Sequence, residues 1–166
     1  MKKSRWLVGT LGLLGVVTVA TAIFGRKVVH TEIEIAAPES EIWSVLSDAG
    51  RYAEWNPVII KVEGQYELGA ELSNTVRDGN GQESVMTSKV VRFVPDKELN
   101  QFGGLPGLLT FDHQWILEPT DTGTRVIQHE EYRGIGIWFW DESWVEPAYS
   151  KANEALRERV FALRGP

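Results

Sequence analysis

From residue 28 onward, apolar and polar positions alternate along much of the chain, and that period of two predicts strands. Val29, Ile33 and Ile35 alternate with acids over residues 28–35, the pattern of a half-buried strand ending at Ala36-Ala37-Pro38. The period then changes. Pro38 suits a first helical turn, the acids Glu39 and Glu41 follow it, and Ile42, Val45 and Leu46 fall at helical spacing, so a short helix is expected. Residues 48–55 read as a second short helix, stopped at Asn56-Pro57 because proline restricts the residue before it. Six strands follow, at 58–62, 70–77, 85–93, 98–102, 108–117 and 124–132. Turn residues separate most of these runs closely enough for hairpins: Gly64, residues 78–81, Pro95-Asp96, Gly103-Gly104 and residues 119–123. The sheet is therefore expected to be antiparallel. Over residues 144–163 the period is helical, with Val145, Ala148, Tyr149, Ala152, Leu156, Val160 and Leu163 on one stripe and Pro147 in the first turn. These elements make an α+β fold: a curved antiparallel sheet of about seven strands around a long C-terminal helix.

The N-terminus breaks this pattern. Residues 6–25 carry no charge and follow Lys2, Lys3 and Arg5. As a helix, such a segment would reach about 30 Å, the thickness of a bilayer's hydrocarbon core. Two readings compete: a single transmembrane helix, or a signal peptide cleaved near Ala22 after the small-x-small run Ala20-Thr21-Ala22. The length of the run and the basic flank Arg26-Lys27 favour an anchor. Bases are more numerous on the N-terminal side, which puts the N-terminus in the cytoplasm and the domain outside. The expected organisation is an anchor over residues 1–27 and one domain over 28–166.

Charge narrows the partners. The chain carries 17 bases and 23 acids, but every acid lies at or beyond Glu32, and only 12 bases lie beyond Lys27, so the body is at −11. A body this acidic repels phosphate backbones, which argues against nucleic acid and leaves small apolar or cationic partners easier to accept. Without cysteine there is no thiol nucleophile, cysteine zinc site or disulfide. No His/Asp/Glu cluster has metal spacing, and no nucleophile elbow, P-loop or dinucleotide glycine motif occurs, so neither metal nor cofactor is expected.

The order of elements and several stretches carry a resemblance: residues 33–38 (IEIAAP), 42–48 (IWSVLSD), 52–57 (YAEWNP), 105–108 (LPGL), 113–119 (HQWILEP) and 124–134 (TRVIQHEEYRG). The chain resembles the SRPBCC superfamily, the START and birch-pollen-allergen helix-grip proteins, and within it the polyketide cyclase/dehydrase-like branch. The likeness runs from about Val29 to Leu163. It implies a helix-grip fold whose sheet and long helix enclose a cavity for a hydrophobic ligand. It carries over no catalytic residue, because no catalytic signature is recognisable in this chain.

Strand parity suggests what lines that cavity. In strand 108–117 the odd positions Leu109, Phe111, His113, Trp115 and Leu117 form the apolar, inward face, with His113 its one titratable group. In strand 124–132 Val126 and Tyr132 favour the even face, which adds Gln128 and Glu130, although Ile127 argues the other way. A hairpin joining these two faces needs partner numbers with an odd sum. A sum of 243 sets His113 opposite Glu130; 241 or 245 would set it opposite Gln128 or Tyr132. Met86, Phe93, Phe102, Trp140, Trp144 and Tyr149 complete the expected wall. The Trp-rich segment 135–144 reads as a lid, a membrane-contacting patch or core filling.

Three functions follow as expectations. The favoured one is a membrane-anchored binding protein for a hydrophobic or lipid-like small molecule. The second is a cyclase- or dehydratase-like enzyme using His113 as base, oriented by Glu130. The third is a membrane-associated interaction module, its protein partner unknown.

Overall fold

A computed structural model of the protein describes residues 25–165. Seven strands form one fully antiparallel sheet: β1 (Arg26–Ile35), β2 (Ile59–Glu63), β3 (Glu71–Arg77), β4 (Glu83–Val94), β5 (Glu98–Leu105), β6 (Leu109–Thr120) and β7 (Gly123–Arg133). The spatial order is β1-β7-β6-β5-β4-β3-β2. From β2 to β7 each strand pairs with the next, the economical outcome of short turns, while β1 closes on the last strand. Between β1 and β2 lie helix α1 (Glu39–Leu46) and a 3₁₀ helix (Ala49–Glu54). A second 3₁₀ turn (Ile135–Phe139) leads into the 19-residue helix α2 (Val145–Leu163).

The expected α+β architecture is present, with its seven strands and long C-terminal helix. The expected membrane segment, residues 6–25, lies outside the described residues apart from Gly25. No helix among the described residues is long and apolar enough to cross a membrane. Arg26 and Lys27, the expected basic flank, are the first two residues of β1. There Arg26 pairs with Glu131 at 2.6 Å and Lys27 with Glu142.

Along α2, Val145, Tyr149, Ala152, Leu156 and Val160 of the predicted stripe are buried, Ala148 is half-buried, and Asn153, off that stripe, is buried beside them. Leu163, placed on that stripe by the sequence, is exposed in the last turn. The helix divides the interior into two apolar regions. At one end, α1 and the first 3₁₀ helix plug the sheet, and Ile42, Leu46 and Tyr52 meet Leu99, Trp115, Leu117, Val126 and Leu156. At the other end Val58, Phe111, Tyr132, Ile137, Val145 and Tyr149 form a looser cluster. The second end holds the site.

Candidate functional site

At this looser end the sheet, α2 and the Trp-bearing segment after β7 enclose a cavity of about 380 Å³, a size that suits a small-molecule ligand. Its walls are mainly apolar and aromatic: Val58, Ile59, Val76, Met86, Leu109, Phe111, Tyr132, Trp140, Trp144 and Tyr149. Two close approaches shape it. Gly103 pairs with Phe111 across β5 and β6, and a Cβ there would come within 2.5 Å of the Phe111 ring, so glycine lets that ring lie against the sheet. At the mouth a Cβ on Gly79 would come within 2.8 Å of Trp144 Cβ, so the β3–β4 turn and Trp144 close on each other.

The β6–β7 register has a sum of 243, and His113 faces Glu130. Both are buried, on the inward faces that parity predicts. They do not bond to each other. Gln128 Nε2 lies 3.0 Å from His113 Nε2; with the amide as donor, the imidazole is neutral and carries its proton on Nδ1. Burial lowers the His113 pKa to about 4, with His129 adding repulsion. Glu130 instead accepts hydrogen bonds at Oε2 from the hydroxyls of Tyr132 and Tyr149. Burial pushes its carboxyl up to about 7, the two hydroxyls pull it back, and Asp112 adds repulsion. Both tyrosines are raised well above the phenol range, first by burial and then by this carboxylate, so they remain donors. In the expected dyad a carboxylate would raise the histidine's affinity for protons. Here desolvation dominates at both groups, and each is kept toward its neutral form.

A second polar group lies on β3–β5. Asn74 Nδ2 donates to Ser88 Oγ at 2.9 Å and to Gln101 Oε1 at 3.2 Å, and Ser88 Oγ donates to Gln101 Oε1 at 3.0 Å. Asn74 Oδ1 is left buried without a partner, and Asn74 and Gln101 both line the cavity. Asp78 lines the mouth, where its Oδ1 accepts the backbone N–H groups of Asn80 and Gln82.

The matching family model is described as polyketide cyclase / dehydrase and lipid transport, and it covers residues 26–160. The chain belongs to this family. The match runs from the first residue of β1 into the last turns of α2, so every cavity-lining residue of this family member falls inside it. Solved structures share the fold. Protein NE0264 from Nitrosomonas europaea is 17% identical with a TM-score of 0.67, covering 84% of this chain and 97% of that one. The Zhui aromatase/cyclase from Streptomyces sp. R1128 is also 17% identical with a TM-score of 0.67, covering 81% and 93%. Ara h 8.0201 is 15% identical with a TM-score of 0.63, covering 83% and 99%. No curated protein sequence matches the chain.

Of the residues expected at the site, Met86, Leu109, Phe111, His113, Glu130, Tyr132, Trp140, Trp144 and Tyr149 come together around the cavity. Four do not line it. Trp115 points inward but sits one step deeper, fully buried in the α1 end of the core. Gln128 reaches the site only through His113. Phe93, turned inward opposite Leu99 by a register shift between Val90 and Arg92, lies at the α1 end of β4 and packs on Trp43, their ring centroids 5.1 Å apart. Phe102 points away from the inward residues Leu99, Gln101 and Gly103, into an open groove with Glu71 and Lys89. Sequence reasoning missed Val58 and Ile59 at the start of β2, and Asn74, Val76, Asp78, Gln82, Ser84 and Gln101 on or beside the β3–β5 strands. The even-numbered run Leu72-x-Asn74-x-Val76 was a signal for two of them.

Proposed function

We propose that this domain is a binding module that holds a hydrophobic small molecule in the cavity between the sheet and α2. The carrying observation is a partly open, aromatic-walled cavity with a small set of convergent buried polar groups. Uptake of the uncharged dye Nile red tests it. Met86→Arg or Leu109→Arg should abolish the dye's fluorescence gain while the domain still unfolds cooperatively; undiminished uptake by both variants would place the ligand elsewhere.

An enzymatic reading draws on one feature, the Glu130 carboxyl raised to about 7, where a general acid or base is effective. His113 is a poor base, with a pKa of about 4 and its Nε2 lone pair committed to Gln128. If a molecule that co-purifies with the protein is converted on incubation, and Glu130→Gln stops that conversion, the family member is an enzyme. Unaltered ligand in both cases leaves binding as its role.

Tethering to a bilayer through residues 6–25 belongs to the same proposal and rests on the apolar sequence of that segment. A surface patch supports it. Leu105, Leu108, Ile135, Trp138 (61% exposed) and Phe139 (86%) are all exposed. The two segments are joined by backbone bonds from Ile135 to Gly107 and from Gly136 to Leu108. Trp138 lies against Gly25, where the apolar segment meets the domain. Resistance of the full chain to alkaline extraction, with its N-terminus intact by mass spectrometry, is the expected result. Recovery in the soluble fraction would remove the tether from the proposal.

A further inference from the structure

The proposed binding cavity has a marked chemical asymmetry. Two carboxyl groups line it, Glu130 in the interior and Asp78 at the mouth, and among the described residues no lysine or arginine does. Several acids elsewhere in the fold are matched with bases: Glu131 with Arg26 and Arg133, Glu142 with Lys27, and Glu54 with Arg51 and Arg159. Lys27, the base that reaches the Trp140–Trp144 segment, is held by Glu142. Glu130, 4% exposed, is the buried acid among the described residues, and its partners are two tyrosine hydroxyls with no base beside them. Both hydroxyls go to Oε2, which leaves Oε1 for an occupant of the cavity.

Among the other buried polar groups of the lining, an acceptor is left open at Asn74, while His113 keeps an Nδ1–H. Asn74 is 4% exposed and its Oδ1 is an acceptor without a donor. The hydroxyls of Tyr132 and Tyr149 are already given to Glu130, and the amide hydrogens of Asn74 to Ser88 and Gln101. A ligand that brings donors would complete this lining; one that brings acceptors would leave Oε1 of Glu130 and Oδ1 of Asn74 facing more lone pairs. The aromatic wall points the same way. The rings of Tyr132 and Trp140 lie 4.7 Å apart, those of Trp140 and Trp144 lie 6.5 Å apart, and Tyr149 bonds to the same carboxylate as Tyr132. Electron-rich ring faces attract cations, and more strongly where water is excluded.

Resting on the binding reading above, we propose that the cavity selects an apolar molecule bearing a protonated amine. Its nitrogen is received by the Glu130 carboxylate beside the rings of Tyr132, Trp140 and Tyr149. Carboxylates and phosphates of the same size are rejected. The attraction is specific to charge: an alcohol of equal length gains the apolar contacts and lacks the ion pair and the cation–ring term.

Displacement of Nile red from the full chain tests this with four probes that differ only at the head: octylamine, octanol, octanoate and octyl phosphate. At about pH 8 the Glu130 side chain is mainly ionised and the amine protonated, and octylamine should displace the dye at concentrations at least about tenfold lower than octanol. Octanoate and octyl phosphate should displace it more weakly than octanol. Glu130→Gln should collapse the ratio of amine to alcohol affinity toward one, with the far-ultraviolet dichroism of the variant showing that it folds. Equal displacement by octylamine and octanol, displacement by octanoate as strong as by the amine, or an amine preference that survives in Glu130→Gln would each overturn the proposal while leaving the binding function standing. If Nile red binds the wild-type chain and the Met86→Arg and Leu109→Arg variants equally, the binding function falls, and this inference with it.

Discussion

The sharpest consequence of burying Glu130 is that the residue should destabilise the domain at neutral and alkaline pH, and that Glu130→Gln should therefore stabilise it. Glutamine keeps the shape, and its amide oxygen can still accept from Tyr132 and Tyr149. The ordinary carboxyl value is 4.5, and burial raises it to about 7. A group whose pKa is raised on folding contributes stability that is fully present below the unfolded value, here pH 4.5, and is lost as pH rises through about 7. At about 1.4 kcal/mol for each factor of ten in the protonation equilibrium, the loss amounts to about 3 kcal/mol. The variant carries no proton to lose. Urea denaturation of both proteins from about pH 4 to about pH 8.5 should give a stability difference near zero at the acid end, opening to about 3 kcal/mol in favour of Glu130→Gln at the alkaline end. The exposed acids are common to both proteins and drop out of the comparison. A difference that stays flat, or one that widens toward acid, would refute the assignment of desolvation as the dominant cause.

His113 provides the mirror experiment. Its pKa falls from the ordinary 6.5 to about 4, so its contribution is present above pH 6.5 and lost as pH falls through about 4; relative to wild type, His113→Gln should gain up to about 3 kcal/mol toward the acid end, measured in the same titration. Between pH 4.5 and pH 6.5 the two groups act in opposite directions, so their pH dependences should cancel in the wild type and become visible only when one is removed. Gly103→Val tests the Phe111 seat: its Cβ would meet the Thr87 carbonyl at 2.3 Å and the Phe111 ring at 2.5 Å, so a loss of roughly 1–3 kcal/mol in denaturation and weakened Nile red uptake are expected. Unchanged stability would mean the ring is not seated on that glycine.

The β6–β7 hairpin was legible because one face of each strand carries the apolar residues and the turn is short, which leaves only odd register sums available. Of the three sums weighed, the structure takes 243. Parity gave direction but not depth: Trp115 and Phe111 share a face, yet one fills the core plug and the other lines the cavity, a distinction set by where α1 packs. β5 defeated the pattern because its inward positions are Leu99, Gln101 and Gly103, whereas an outward position carries Phe102. The shift in β4 is a local backbone event without a residue signature; it turns Phe93 inward, opposite Leu99, but at the α1 end of the strand and so beyond the cavity. The β3 and β4 wall was missed for a different reason. Asn74, Gln82 and Ser84 are residues that ordinarily face water, and only a neighbouring cavity makes their polarity informative.

The pairing of the first strand with the last has a consequence for how the molecule is made. On a ribosome β1 emerges first, and about 90 residues separate its end from the start of β7, the strand it hydrogen-bonds. At typical synthesis speeds that interval is roughly 5–20 s. Throughout it, Val29, Ile33 and Ile35 sit on a strand without its neighbour, and the slow closure of so distant a contact begins only when the hairpin of β6 and β7 is complete. The nascent chain thus carries an unpaired edge from the emergence of β1 until β7 is made, and a chaperone that shields the first ten residues of the domain would be most useful over that whole interval.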